Sequence, residues 1–454
     1  MAQQSRANIL DVVENQERSW LNPFALGTFL LGCLVMLADG FDNQAINYAA
    51  PAIIREWGIE RALMTPVFNI SIVGWMTGSI LFAMLADKIG RRPSTVFAVM
   101  LFGAFTFAIP LATNLYELAA LRFCAAFGVG GGMPMAIALV SDYAKSKNRG
   151  LRITLLYLGY TIGSSGGGFL AAEMIPALGW RSLFYLGGAG AMIISVILMF
   201  GLPESVRYLV LRRPNDLRIL GYARKLRPSA NFAEGTNFYI EESVKSGVPV
   251  KHLFTEGRSA MTWFLWFALG FSFFTHFFLS QWLSTLLDPV LGENAQRVQG
   301  LFQLGAAFAF IFGFLIDKKG IPVMTLTMIL GALPVAAIGL VTGSGTAITM
   351  IMALASGILV LGGNIGLNAV SSMIYPTFIR STATGAAFAV ARIGAILGPA
   401  IAGYLIYIKT PLDTIFIVGA LPMLAAGAAC FMLDKSITPD AAREMASRSA
   451  LARH

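Results

Sequence analysis

Residues 85–93 read LADKIGRRP, and residues 315–322 read LIDKKGIP. Each is a short charged loop with a glycine, set between apolar stretches too long for ordinary core helices. About 20 apolar residues cross a hydrocarbon core of roughly 30 Å. Working outward from the two loops, such stretches recur at 24–48, 62–86, 93–113, 115–142, 150–173 and 181–202, and again at 259–287, 296–316, 321–342, 347–373, 382–406 and 411–433. The repeated loop falls between the second and third stretch of each set. A second landmark repeats at nearly the same offset, Tyr143, Arg149 and Gly163 corresponding to Tyr375, Arg380 and Gly394. Two landmarks sharing one offset predict an all-α membrane protein of twelve transmembrane helices, in two duplicated six-helix halves related by an axis along the membrane normal.

Composition agrees. Of 454 residues, 56% are hydrophobic and 13% charged, where a soluble protein has about a quarter charged. The expected organisation is a polar cytoplasmic tail (1–23), a first half (24–202), a basic amphipathic cytoplasmic linker (203–258), a second half (259–433) and a cytoplasmic tail (434–454). The first 23 residues carry charges of both signs, unlike a signal peptide, so the first span is expected to be retained. With both termini inside, Arg55, Arg61, Arg181, Arg297 and Lys409 fall outside, Arg122 and Arg392 lie within spans, and the rest of the 33 Lys and Arg are cytoplasmic. That skew is the positive-inside pattern. It accounts for the net charge of +9 without nucleic acid as a partner. Cys33, Cys124 and Cys430 lie far apart inside spans and read as buried thiols. No nucleotide loop, metal constellation or catalytic group stands out, so no cofactor and no enzyme activity are expected.

The stretch LADGFDNQAINYAAP (37–51) puts two carboxylates, Asp39 and Asp42, within one helical turn in an apolar span. They lie roughly 22 to 27 Å along the first span, and Arg122 lies about 10 Å below the outer face on the fourth. The three thus share a similar depth. Buried charges that must stay are expected to pair. A carboxylate beside an arginine is ionised when wet and paired, and easier to protonate when the arginine turns elsewhere. The alternative makes the acids helix-end residues facing water, which fits Asp42 because Asn43 and Gln44 follow. Arg392, in AAFAVARIGAILGP, is about ten residues into the eleventh span, near the midplane, where a lone arginine must face the protein interior. Its planar fork suits a carboxylate ligand. The bland reading is an interhelical pair. His276, in FSFFTHFFLSQWL, sits among phenylalanines and is either a proton relay or hydrogen-bonding group, or a packing residue. Phe273, Phe277, Trp282 and Tyr160 offer faces for an aromatic ring. Gln303, Asn364 and Asn368 are intramembrane amides, either helix glue or ligand contacts.

Twelve spans in two halves, ADKIGRRP with its weaker DKKG copy, and PESVRYL after the sixth span resemble the major facilitator superfamily of secondary transporters. DGFD (39–42), LRFCAAFGVGGGMPMA (121–136) and WLSTLL (282–287) are similar to its aromatic acid:proton symporter branch. Asp142 stands where that branch often has a glutamate. The resemblance implies that the first and fourth helices line a central cavity, where Asp39, Asp42 and Arg122 would couple protons. Arg392, His276, Phe273, Phe277, Gln303, Tyr160 and Asn364 would then bind substrate. In the loop, Gly90 permits the turn, Asp87 can accept bonds from an adjacent helix end, and Arg91 and Arg92 can pair with Asp142. With Asp317 in the copy, these residues form the expected gate.

The expected function is proton-driven import of an aromatic carboxylate of the benzoate, hydroxybenzoate, protocatechuate or lignin-derived type. The resemblance implies a multi-pass monomer of the inner membrane, its partners being the substrate, protons and the bilayer. Rival readings are a proton antiporter exporting drugs or cations, a sugar or other organic-anion symporter, and a membrane chemoreceptor for aromatic acids. Arg122 and Arg392 count against a cation exporter.

Overall fold

The computed structural model describes residues 6–18, 21–230, 232–240, 250–375 and 379–437. The parts of the expected linker and tails beyond these bounds, and the side chain of Asp317, lie outside the described residues. Strand β1 (Arg6–Asn8) and helix α1 (Ile9–Glu14) come first. Six long helices follow: α2 (Pro23–Trp57), α3 (Thr65–Ile89), α4 (Arg91–Ala108), α5 (Leu115–Asp142), α6 (Ser146–Leu178) and α7 (Arg181–Gly201). The linker contributes α8 (Val206–Arg212), α9 (Leu217–Leu226) and β2 (Asn237–Tyr239). The second set is α10 (Ser259–Leu291), α11 (Asn294–Leu304), α12 (Phe310–Lys319), α13 (Pro322–Val341), α14 (Thr346–Met373), α15 (Arg380–Tyr407) and α16 (Leu412–Lys435). Helix α11 and α12 are one span interrupted by a 3-10 turn at Gly305–Phe308.

Among the described residues, 11 helical spans are long and apolar enough to cross a membrane. The twelfth long helix, α6, has 33 residues, but TIGSSGGG (161–168) dilutes its apolar character. In membranes such small residues let helix backbones approach. Helix α2 corrects one sequence expectation. It does not end near Asp42 but runs 35 residues to Trp57. The polar residues after DGFD are absorbed within it: Gln44 and Asn47 are buried and Asn47 Nδ2 donates to Gln44 Oε1 at 2.8 Å. The helix-end reading of Asp42 therefore fails, because the helix runs on for about four turns beyond it and Asp42 itself is buried.

The chain forms two compact units. The first comprises Met1–Asn43, Ile70–Ser164 and Arg181–Val244, and the second Gln44–Asn69, Ser165–Trp180 and Lys245–His454. Glycine contacts set the helix spacing in each. In the first unit a Cβ on Gly163 would overlap the backbone carbonyl of Leu37, and one on Gly130 would overlap that of Trp75. In the second, Gly394 lies in the same way over Gly270, and Gly357 over Phe302. The duplicated sequence thus packs through duplicated contacts. The four glycines of GVGGGMP face different neighbours, Gly128 meeting Phe102, Gly130 Trp75, Gly131 Phe82 and Gly132 Asp39.

The first unit also carries a small core off the long helices. Ile9, Val12 and Val13 of α1 pack with Val206 and Leu209 of α8 and Ala223 and Leu226 of α9. The strands pair in parallel, Arg6 opposite Asn237, and Asn22 Nδ2 donates to the carbonyls of Lys225 and Leu226 at 3.2 and 3.3 Å. The tail is therefore part of a folded cap, a role its ILDVV apolar spacing signals only weakly.

Gly163→Val is expected to destabilise the protein by about 1–3 kcal/mol, because the added atoms meet a backbone that cannot rotate away. Gly166→Ala, in the same run but with open space around it, should be neutral or slightly stabilising, since glycine inside a helix is worse than alanine by roughly 0.5–1 kcal/mol. Tryptophan-monitored unfolding of the detergent-solubilised protein checks both, and equal effects would refute the contact.

Candidate functional site

The first unit holds the acid cluster. Asp39 is 0% exposed and Asp42 and Arg122 are 2% exposed. Arg122 Nη1 lies 3.4 Å from both Asp42 Oδ2 and the Asp42 carbonyl, and Thr106 Oγ1 donates to Asp42 Oδ1. Asp42 is thus compensated by a cation and a hydroxyl. Asp39 is not: among the described residues it has no ion pair and its oxygens make no well-formed hydrogen bond, although the Met133 amide acts on the group. Its carboxylate sits against Gly132, where a Cβ would come within 2.9 Å of Oδ1. One glycine of the fourth span therefore makes the space for the first acid. Gly40 between the acids lies against the backbone of Tyr160 on α6, so DGFD also marks a close helix crossing. Tyr160 itself packs beside the Met36, Val140 and Leu156 cluster of this unit.

The second unit holds a group of aromatic and basic side chains on α10 and α15. Phe273 stacks on Phe277 at 6.0 Å and meets the edge of Phe388 at 6.3 Å. His276 lies 4.8 Å from Phe277 and 6.0 Å from Phe273 between ring centroids. Arg392 follows Phe388 by one helical turn on the same face of α15, is half-buried, and acts electrostatically on His276. Gly394 and Gly398 bring α15 onto the backbone of α10 at Gly270 and Phe274, the approach that lets Phe388 meet Phe273 and Arg392 act on His276. Gln303 Nε2 donates to Ser280 Oγ at 3.2 Å, joining α11 to α10. Asn364 on α14 is 4% exposed and its amide makes no hydrogen bond among the described residues. Trp282 is fully buried, its indole bonded to the Pro399 carbonyl at 3.1 Å and packed edge-on to Phe68 at 5.1 Å. It is committed to helix packing.

The loop residues form a third group, in the first unit. Arg91 Nη1 lies 2.5 Å from Asp142 Oδ2, Arg207 Nε lies 3.6 Å from Oδ1, and Ser205 Oγ donates to Oδ2. Arg92 is directed elsewhere, its Nη2 donating to the Met199 carbonyl. Asp87 is exposed; the carboxylate that accepts from a helix end is Glu204, which takes the backbone N–H groups of Arg91 at 2.9 Å and Arg92 at 3.1 Å. The sequence reading missed Glu204, Ser205 and Arg207, although all lie in PESVRYL, whose polar letters were the available signal. Gly90, at φ 110°, adopts a conformation that glycine tolerates, and a Cβ there would meet the Glu204 carboxylate.

The second unit also carries a polar seam. Arg55 on α2 bonds both oxygens of Asp288 at 2.5 Å, Ser284 Oγ donates to the Asn47 carbonyl at 2.8 Å, and Arg297 meets Glu173 at 2.5 Å. WLSTLL thus supplies two packing bonds, through Trp282 and Ser284.

A duplicated set of membrane-length helices carrying buried charges is a framework that secondary transporters use. The chain belongs to the Major Facilitator Superfamily, whose family model matches residues 32–355. It is 33% identical over 401 residues to the gallate transporter of Pseudomonas putida, covering 87% of this chain and 89% of that one. It is 32% identical over 418 residues to the 4-hydroxybenzoate transporter PcaK of Pseudomonas aeruginosa, covering 91% and 93%. The solved structure of a bacterial homologue of the human lysosomal transporter Spinster, inward-facing and occupied, matches with a TM-score of 0.72 at 16% identity, over 91% of this chain and 97% of that one. The protein is a multi-pass inner-membrane transporter of the major facilitator fold, not an enzyme, and its relatives are those of the aromatic acid branch to which DGFD pointed.

Removing one partner of a buried ion pair costs about 3–5 kcal/mol, so Arg122→Ala should destabilise the protein on that scale. Asp42→Asn added to it should recover part of the loss. A double-mutant cycle on unfolding in detergent tests this, and strictly additive losses would show that the two residues do not act as a pair.

Proposed function

We propose that the protein is a proton-coupled symporter that imports an aromatic carboxylate by alternating access. The observation that carries this reading is the Arg392 group: a half-buried guanidinium one helical turn from Phe388, within electrostatic reach of His276, while Phe388 meets Phe273 and Phe273 stacks on Phe277 of the neighbouring helix. A guanidinium fork pairs bidentately with a carboxylate, and the ring faces supply the apolar contact an aryl group needs. An imidazole at the same place can hydrogen-bond a phenolic hydroxyl. The names of the relatives, gallate and 4-hydroxybenzoate transporters, support the same substrate class. A cation substrate would meet Arg392 unfavourably.

Asp39 is the proposed proton carrier. Asp42 already has Arg122 and Thr106, whereas Asp39 is buried without a cation partner among the described residues, and an uncompensated charge there would carry the full desolvation penalty. Asp42 and Arg122 position the helix and hold the local field. Asp142 with Arg91, Arg207 and Ser205 is proposed as the gating node, with Asp87 in its loop, and Asp317 is proposed for the same role in the copy of that loop in its own half. The skew of Lys and Arg supports cytoplasmic termini, and a monomer is the proposed working unit. One proton per monoanion makes the cycle electroneutral.

Uptake into proteoliposomes tests the reading, with radiolabelled benzoate, 4-hydroxybenzoate, protocatechuate and gallate and an inward-directed pH gradient. The native protein is expected to accumulate at least one acid only with the gradient. Arg392→Ala should lower uptake at least 100-fold. Asp39→Asn should abolish accumulation but retain gradient-independent exchange of the same acid. Equal uptake with and without the gradient would sink the coupling, and full activity of Arg392→Ala would sink the substrate site.

A further inference from the structure

Where α4, α7 and the linker helices meet, the first unit contains a cavity of about 600 Å³ that includes none of Asp39, Asp42 and Arg122 in its lining. One wall is apolar: Val96, Phe97 and Met100 of α4 and Met199 of α7. The rim is basic, formed by Arg92, Arg213 and Arg218, with Glu204 beneath. The volume lies within the roughly 300–1,000 Å³ of small-molecule sites.

The wall faces hydrocarbon. Phe97 is 52% exposed and Phe200, next to Met199, is 82% exposed, so the apolar side opens onto the surface the helices present to the bilayer. Helix α9 is amphipathic, with Ile219, Ala223 and Leu226 buried. Leu217 at its start, 87% exposed, and Leu211 on α8, 60% exposed, project apolar side chains beside the basic rim. Apolar projections flanked by arginines are the surface pattern of segments seated at a lipid interface.

The charges decide the sign of the occupant. Glu204, whose carboxylate accepts the backbone N–H groups of Arg91, Arg92 and Ser205, offsets one of the rim arginines with its negative charge. Asp216 is held by the Arg218 fork at 2.7 and 3.0 Å. Arg91 and Arg207 are engaged with Asp142. Arg213, exposed just past the end of α8, and Arg92 leave the rim with a positive surplus that matches one phosphodiester.

We infer that this cavity is a binding site for an anionic phospholipid of the leaflet facing the linker, its phosphate on Arg92 and Arg213 and one acyl chain along Val96, Phe97, Met100 and Met199. Arg92 also holds the Met199 carbonyl, and its backbone is bonded to Glu204. The lipid headgroup therefore sits one residue from the Arg91–Asp142 pair and bridges the loop, the end of α7 and the linker. A negative headgroup there ties those three elements together. Basic pockets between transmembrane helices recognise anionic lipids in this manner.

The test uses the full chain, purified in detergent and stripped of lipid. Apparent affinity for phosphatidylglycerol, for phosphatidylcholine of the same chains and for glycerol 3-phosphate is read by native mass spectrometry, with thermal stability as a second readout. The native protein should bind phosphatidylglycerol at least tenfold tighter than phosphatidylcholine and raise its melting temperature with the former alone. Arg213→Glu should lower phosphatidylglycerol affinity at least fivefold, in line with the roughly fivefold per basic residue typical near anionic membranes. Arg212→Glu, a neighbouring charge outside the cavity, should leave it within twofold. If Arg213→Glu does not fold, Arg213→Gln serves in its place, with a smaller drop expected. Equal binding of the two lipids, or equal losses in the two glutamate variants, would overturn the site. Binding of glycerol 3-phosphate as tight as that of phosphatidylglycerol would overturn the lipid and leave an anion site, and competition by 4-hydroxybenzoate would reassign the cavity to the substrate.

Discussion

The close approach of helix backbones across glycines is the constraint on which the rest of the molecule depends. In a membrane, apolar side chains gain nothing by leaving lipid for protein, so helices associate through tight packing and polar contacts. Here Gly163 lies over Leu37, Gly130 over Trp75, Gly394 over Gly270 and Gly357 over Phe302. These contacts fix helix rotation, and rotation decides which residues face inward. The Gly163 contact turns α2 so that Asp39 and Asp42 are buried rather than lipid-facing. The Gly394 contact does the same for α15 and Arg392. The buried charges are consequences of that packing.

Once rotation is fixed, each charge needs compensation, and the structure supplies it unequally. Asp42 has Arg122 and a hydroxyl; Asp142 has two arginines and a hydroxyl; Glu204 has three backbone amides. Asp39 has the space beside Gly132 and little else. Fully satisfied polar networks rigidify, and a half-satisfied group is where chemistry can enter. This inequality separates framework acids from the acid proposed to carry a proton, a distinction composition and spacing do not make.

Much of the fold was legible because periodic features wrote it. Twelve apolar stretches, the paired DK-G loops and the repeated Tyr–Arg–Gly landmark are local patterns, and the helices follow them. The helix ends were less legible: α2 extends past DGFD to Trp57 because Gln44 and Asn47 bond to one another in its interior, a contact that looks in sequence like a loop. The span expected at 296–316 is interrupted by a 3-10 turn at Gly305–Phe308, where Gly305 lies against the backbone of Gly357 and Ile358. Of the site, the rare residues announced themselves, since Asp39, Asp42, Arg122 and Arg392 are charges in apolar surroundings. Their ordinary neighbours did not. Thr106 and Phe388 are common residues whose importance lies in a helix they do not belong to, and Glu204 lay hidden in a loop already explained by its basic partners.

The duplication shows why the two halves need not do the same work. Gly163 and Gly394 occupy equivalent places and make equivalent contacts, yet two residues earlier the first half has Thr161 and the second has Arg392. Thr161 donates to the Tyr157 carbonyl of its own helix at 3.0 Å, so its polarity is spent locally and nothing is asked of a ligand. An arginine at the same place cannot be satisfied by one backbone carbonyl, because its five N–H donors form a fork wider than a single acceptor. The two copies share the helix contact and differ in charge at this position. By the same logic the loop arginines cluster in the first half, where the linker cap brings Arg207, Ser205 and Glu204 against them, while the second copy has two lysines, Lys318 and Lys319, and no arginine pair. Because the glycine contacts set the helix spacing, each half can carry different charges on the same fold.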